Sequence, residues 1–224
     1  MFSKVMIANR GEIACRVIRT CRAMGIKTLA VYSDADAGSL HVRMADEAVQ
    51  IGPPIAAESY LNIDRIIKTA KQYGADAIHP GYGFLSENTT FVKAVESSGI
   101  TFIGPSAKAI SQMGDKIAAR KIARTAGVPV IPGTDKAISD SEAIKEARDI
   151  GYPLMIKAAD GGGGIGIRVV GSEEEFITAM ERARAQAQAS FGSNRMYLEK
   201  RIQPASHVEV QILADSHGNV VHLF

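Results

Sequence analysis

Residues 157–166 read Lys157-Ala158-Ala159-Asp160-Gly161-Gly162-Gly163-Gly164-Ile165-Gly166, between two apolar strand patterns. The run Gly161, Gly162, Gly163 and Gly164 offers backbone amides with no side chains in the way, so it can lie close to polyphosphate and donate to it. Lys157, at the end of the preceding strand, adds a point charge suited to an α- or β-phosphate. A plain hairpin connection is the alternative, because glycine is common in turns. The adjacent lysine and the strand–loop–strand setting together favour phosphate. The strip is not a Walker A loop, which needs Gly-Lys-Ser/Thr running into a helix.

Other candidates are weaker when read singly. Lys116 follows Met113-Gly114-Asp115 at a helix start, where a cation beside the helix N-terminus suits an anion, though a lysine there is ordinarily solvated surface. Glu199-Lys200-Arg201-Ile202 leaves a short strand. It can supply the polar edge and apolar cover that a nucleotide base requires, or be an ordinary strand exit. His207 opens an alternating stretch and reads equally as structural or ligand-facing. With His222 fifteen residues later, it has no metal-ligand spacing. Ala8-Asn9-Arg10-Gly11-Glu12-Ile13-Ala14 makes a sharp strand-to-helix turn but lacks Gly-x-Gly-x-x-Gly, which excludes a dinucleotide fingerprint. The loop from His79 to Asn88 follows an apolar strand, where open α/β sheets place ligands. It reads as a ligand loop or a rigid turn, with Asn88 capping the next helix.

These residues need a scaffold to hold them. Strand patterns at 4–8, 28–32, 48–51, 77–79 and 101–103 alternate with helical patterns at 11–24, 59–73 and 88–97. That alternation predicts an α/β domain with a mostly parallel sheet covered on both faces. Helices follow at 107–113 and 116–126, the second ended by Gly127, with Pro129 and Pro132 preventing its continuation. A new unit begins there: helix 139–150, strand 154–158, the glycine loop, strand 166–170 and helix 173–189. Glu173, Glu174 and Glu175 sit at the positive end of that last helix. Residues 196–199 form a strand. Residues 207–213 alternate so that Val208, Val210 and Ile212 should face a core. A turn at 215–219 and a returning strand from Val220 complete a hairpin. The chain stops on apolar residues within it, from which we expect a C-terminal truncation.

Composition bounds the partners. The 224 residues are 46% hydrophobic and 22% charged with a formal net charge of +2, an ordinary globular balance. There is no polybasic footprint for nucleic acid, and the absence of Trp leaves little for single strands to stack on. Cys15 and Cys21 fall six apart on the first helix and read as reduced packing residues. The N-terminus runs straight into a strand, and no apolar run reaches the ~20 residues needed to span a bilayer. The expectation is therefore a cytoplasmic protein without membrane contact, or one of the mitochondrial matrix after removal of a transit peptide.

Taken together, residues 7–13, 79–88, 102–105, 113–116, 151–170 and 199–213 closely resemble the biotin carboxylase family, a branch of the ATP-grasp enzymes. The likeness extends over essentially the whole chain. It implies a Rossmann-like pre-ATP-grasp domain at 1–103, the helical start of the ATP-grasp region at 104–129, a lid subdomain at 130–201 and the beginning of an incomplete ATP-grasp core at 202–224. The family makes carboxyphosphate and ADP from ATP and bicarbonate, then carboxylates N1′ of carrier-linked biotin. The resemblance implies that Lys116 and Lys157 contact ATP phosphates, and that Gly161, Gly162, Gly163 and Gly164 close over them. By the same likeness Glu199, Lys200 and Ile202 surround adenine, and His207 lies near the ribose or phosphates. Implied cofactors are ATP and Mg2+ or Mn2+, with biotin as the carried substrate. Implied partners are a biotin carboxyl carrier protein or domain, a carboxyltransferase and a second copy of the chain. The family's catalytic groups and metal-binding carboxylates are expected beyond Phe224, so the chain alone should be inactive. Where the family usually carries a basic residue followed by Gly and Met, this chain has Ile165, Gly166 and Ile167. The resemblance leaves the final carboxyl acceptor open among acyl-CoA, pyruvate and urea. Other readings of the residues are another ATP-grasp carboxylate–amine ligase and an inactive nucleotide-binding module.

Overall fold

The computed structural model describes residues 1–160 and 165–223. The chain divides into two compact units, Met1–Ala119 and Arg120–Phe224.

The first unit is built on strands β1 (Lys4–Ile7), β2 (Lys27–Ser33), β3 (Glu47–Gly52), β4 (Ala77–His79) and β5 (Thr101–Phe102), in the order β3-β2-β1-β4-β5. Every pairing is parallel. Helices α1 (Gly11–Ala23), α2 (Leu40–Met44), α3 (Ile63–Gln72), α4 (Thr89–Ser97) and α5 (Ala107–Gly114) accompany them. Side chains on β1 alternate between two cores. Met6 packs with Ile78, Phe91 and Val95, while Val5 and Ile7 pack with Ile13, Val17 and Ile18. Both sheet faces are therefore covered, as the short apolar strands and intervening helices predict. Cys15 and Cys21 are buried free thiols. Strand order reverses beside β1, and the loops leaving β1 and β4 meet at the carboxyl end of the sheet.

Some boundaries differ from expectation. The helix read from residue 59 starts at Ile63, because the Asn62 side chain accepts from Arg65 N at 3.0 Å and caps it there. A 3₁₀ turn, Ala56–Glu58, fills part of the preceding stretch. Helix α2, with 5 residues, is too short to show a period in the sequence.

Asp46 fastens the start of β2, its carboxylate accepting from Thr28 Oγ1 at 2.8 Å and Thr28 N at 2.9 Å. These bonds hold its pKa down at about 2, against the usual 3.8. The unfolded chain then binds this proton more readily than the folded one. The stabilisation is complete above the unfolded value of 3.8 and is lost as pH falls toward about 2. In urea titrations across acid pH, Asp46→Asn is expected to flatten this part of the stability curve, and an unaltered acid limb would refute the assignment.

Helix α6 (Lys116–Thr125) runs across the boundary between the units. In the second unit, β6 (Leu154–Ala158), β7 (Arg168–Val170) and β8 (Met196–Lys200) form an antiparallel sheet in the order β7-β6-β8. Leu154, Ile156 and Ala158 of β6 join Met196 and Leu198 of β8 in one core. Helices α7 (Asp140–Ile150) and α8 (Glu173–Phe191) close that core, α8 through Phe176, Met180 and Ala183. Period-2 alternation therefore sends Lys157, Tyr197 and Glu199 to the other sheet face.

Strands β9 (Gln211–Ala214) and β10 (Val220–Leu223) pair as an antiparallel hairpin. Here the sequence expectation fails. Residues 207–210 are not in a strand, and Val208, Val210 and Ile212 are exposed rather than facing a core. Alternation marks a face suited to burial, but among the described residues no further layer covers this hairpin. No helix among the described residues is long and apolar enough to cross a membrane.

Candidate functional site

In the first unit the two loops singled out by sequence come together at the reversal of strand order. Asn9 Nδ2 donates to the carbonyls of Pro80 at 2.7 Å and Tyr82 at 2.8 Å. Gly81, at φ +65°, brings its backbone so close that a Cβ there would lie 2.7 Å from Asn9 Nδ2. Arg10 pairs with Asp36 at 3.1 Å. Its guanidinium lies 5.4 Å from the Tyr60 ring centre and 5.7 Å from that of Phe84. Tyr60 donates to Asp36 Oδ2 at 2.7 Å. Burial first, and that hydrogen bond second, push the phenol up to about 12, so it stays protonated at neutral pH. Arg10, Glu12, Tyr82 and Phe84 line an open cavity of about 350 Å³.

The second unit concentrates charge on the sheet face away from its core. Lys157 and Glu199 are diagonal neighbours on β6 and β8, where Met155 opposes Glu199 and Lys157 opposes Tyr197. The Lys157 ammonium donates to Glu199 Oε2. Arg120, on α6, donates from Nη1 to Glu199 Oε1 at 2.6 Å and from Nη2 to the Ile131 carbonyl at 2.6 Å. The same guanidinium lies 6.0 Å from the Tyr197 ring centre. Side-chain exposure is 7% for Glu199, 11% for Arg120 and 20% for Lys157. Burial, and then the Glu199 charge, raise the Tyr197 phenol pKa, so Tyr197 faces the cluster as a neutral group. Two cations on one carboxylate leave a net positive charge in a largely desolvated place. Such an arrangement is tolerable only while every member keeps its partner, and it is suited to an incoming anion.

The remaining predicted residues fall around this centre or elsewhere. Lys200 turns away, donating from Nζ to the carbonyls of Gly151 at 3.1 Å and Tyr152 at 3.0 Å. Ile202 is half-exposed. His207 is exposed and lies 3.3 Å from Glu209 Oε1. Lys116 belongs to the first unit and opens α6, where the Asp115 carboxylate accepts from Ile117 N and Ala118 N at 2.9 and 3.0 Å. Gly161, Gly162, Gly163 and Gly164 lie outside the described residues; Asp160 before them accepts from Ser193 Oγ at 2.6 Å and pairs with Arg195 at 3.0 Å. Among the described residues, no three His, Cys, Asp or Glu side chains converge into a metal-binding group.

Comparison with known proteins decides the lineage. Residues 1–110 match the biotin carboxylase N-terminal domain, and residues 115–224 match the ATP binding domain of the carbamoyl-phosphate synthase L chain. The biotin carboxylase of Halalkalibacterium halodurans is 56% identical across 100% of this chain. The chain belongs to the biotin carboxylase family. A second member, biotin carboxylase 1 of Bacillus subtilis, is 53% identical over 100% of this chain. Among solved members, the Campylobacter jejuni biotin carboxylase in complex with βγ-ATP superposes with a TM-score of 0.96 at 49% identity over 99% of this chain. The biotin carboxylase domain dimer of Hydrogenobacter thermophilus 2-oxoglutarate carboxylase, in complex with MgADP, ADP and bicarbonate, gives 0.95 at 49% identity over 99%. The chain spans about half the length of these relatives: 50%, 50%, 50% and 49% respectively.

Arg120 and Tyr197 are parts of the charged centre that sequence reading missed, as is Gly133, whose backbone lies so close that a Cβ there would be 3.1 Å from Arg120 Nη2 and Glu199 Cα. Arg120 lies 79 residues from Glu199, and residues 131–134 link them, bonding to β8 through Thr134 N and the Pro132 carbonyl and to the Arg120 guanidinium through the Ile131 carbonyl.

Proposed function

We propose that the chain supplies the nucleotide-binding part of an ATP-dependent biotin carboxylase. In the complete reaction a bicarbonate oxygen takes the γ-phosphoryl group of ATP, releasing ADP and forming carboxyphosphate. The carboxyl group then passes to N1′ of carrier-linked biotin, which gives up its proton, and phosphate leaves. The observation that carries the reading is Lys157: a cation near the end of a strand, a few residues before the glycine strip, inside a buried cluster with an excess of positive charge.

In this proposal Lys157 exchanges Glu199 for a nucleotide phosphate, Lys116 meets the same polyphosphate, and Gly161, Gly162, Gly163 and Gly164 cover it. Glu199, Lys200 and Ile202 border the adenine, and His207 approaches the ribose or phosphates. The described residues do not form a divalent-cation cage of their own. Mg2+ or Mn2+ accompanies the nucleotide phosphates in this proposal, and the carboxylates that hold it are not assigned to these residues. Residues 1–103 serve as the pre-ATP-grasp domain, 104–129 as the helical start of the ATP-grasp region, 130–201 as the lid and 202–224 as the beginning of the core. The working enzyme engages a biotin carboxyl carrier protein or domain and a carboxyltransferase, and pairs with a second copy of itself.

Calorimetric titration of the 224-residue chain with Mg-ATP tests the reading. Lys157→Met is expected to weaken binding at least about tenfold, or about 1.4 kcal/mol. Undiminished affinity would remove Lys157 from the site. The chain alone is expected to bind nucleotide without bicarbonate-dependent ADP release. Turnover requiring both bicarbonate and biotin would place the complete apparatus within these residues.

A further inference from the structure

The function proposed above employs Lys157 and leaves the other cation on Glu199 without a task. Arg120 is held on three sides: Nη1 on Glu199 Oε1, Nη2 on the Ile131 carbonyl, and the guanidinium face over Tyr197. Its planar fork is locked by these contacts. Lys157 has one described partner, Glu199 Oε2, a flexible four-carbon stem and rotatable donors, and its side chain is more exposed than that of Arg120. Of the two cations, Lys157 is the one able to move.

We propose that Arg120 is a positioning residue that sets how readily Lys157 leaves Glu199 for a phosphate. The inference rests on the reading of Lys157 as a phosphate ligand. While Arg120 stays, Glu199 keeps a partner after Lys157 departs, and the buried carboxylate is never stranded. Without Arg120, the departure of Lys157 would leave Glu199 buried and unpaired, a state that proteins strongly disfavour. Removal of Arg120 also ends its repulsion of Lys157, so the remaining pair tightens and the cluster loses its excess positive charge. Both effects work against a polyanion. Neither acts on a ligand without phosphates.

The experiment compares Mg-ATP with adenosine by calorimetry, using the 224-residue chain and its Arg120→Met, Arg120→Gln and Arg120→Lys variants. Arg120→Met is expected to weaken Mg-ATP at least about tenfold while adenosine stays within about twofold. Arg120→Lys keeps the charge and is expected to hold Mg-ATP within about threefold of the unaltered chain. Arg120→Gln retains a donor toward Glu199 without the charge, and carries the same expectation as Arg120→Met if the latter fails to fold. Equal losses for Mg-ATP and adenosine would make Arg120 a structural residue and overturn the inference, as would unchanged Mg-ATP affinity. If the unaltered chain binds neither ligand, the nucleotide reading fails for this chain. Arg120 is then judged from exchange of the Lys157 ammonium protons, followed by nuclear magnetic resonance. Slower exchange in the charge-removing variant supports a tighter hold by Glu199, and equal or faster exchange overturns it.

Discussion

Glu199→Gln is expected to cost the protein about 3–5 kcal/mol of stability, because it leaves two buried cations without their shared anion. The amide matches the carboxylate in shape, so packing around β8 is preserved and the loss isolates charge. Arg120 and Lys157 each place a donor on a different oxygen of Glu199. In the variant, one of these donors faces an amide NH2, and the two cations repel each other in a site where Glu199 itself is 7% exposed. Lys157→Met is expected to cost much less, since the Arg120–Glu199 pair survives it. The order of the two effects is therefore a sharper test than either magnitude. A double-mutant cycle in urea supplies it: Glu199→Gln combined with Lys157→Met should recover part of the loss, because the second change removes one of the stranded cations. A cost below about 1 kcal/mol for Glu199→Gln would be the behaviour of a solvated surface pair and would refute the buried-cluster account.

The same cluster shows what a linear sequence can and cannot disclose. Lys157 stood out because its neighbours in sequence, an apolar strand and a glycine strip, define its surroundings. Glu199 was legible as part of a strand exit that could border a base, but its joining to Lys157, 42 residues away, depends on the register between β6 and β8. Arg120 carried no local signal, since a single arginine on a helix has the same appearance whether solvated or buried. In the first unit, short strands and ten-residue helices were legible because each satisfies its own periodicity, and Asn88 was legible as a cap because its bond to Phe91 N is local. The meeting of Asn9 with the loop after β4 was not. It follows from parallel strand order, which no short window contains. The misreading of residues 207–210 has the converse cause. Alternation there reports a face suited to burial and is silent about what lies against it.

Gly133→Ala is expected to destabilise the protein by about 2–4 kcal/mol, adding the cost of overpacking to that of at least one disturbed backbone hydrogen bond. A Cβ at Gly133 would lie 2.3 Å from the Leu198 carbonyl oxygen and 3.1 Å from both Arg120 Nη2 and Glu199 Cα. The nearest obstacle is backbone and cannot rotate aside, so residues 131–134 must withdraw from β8. Withdrawal strains the bonds from Thr134 N to Leu198 O at 2.9 Å and from Lys200 N to Pro132 O at 2.8 Å. It also carries the Ile131 carbonyl away from Arg120, loosening the contact that locks the guanidinium. Gly192→Ala is the control. That glycine ends α8 at φ +68° with no atom within 4 Å of an added Cβ, so its replacement costs only left-handed backbone strain of about 1–2 kcal/mol. Urea unfolding of both variants, with amide exchange at Thr134 and Lys200, separates the two causes. Faster exchange at these amides together with a larger loss than in the control is the expected result. A loss no greater than the control, with exchange unchanged, would mean that the close approach of residue 133 to β8 does not hold Arg120 in place.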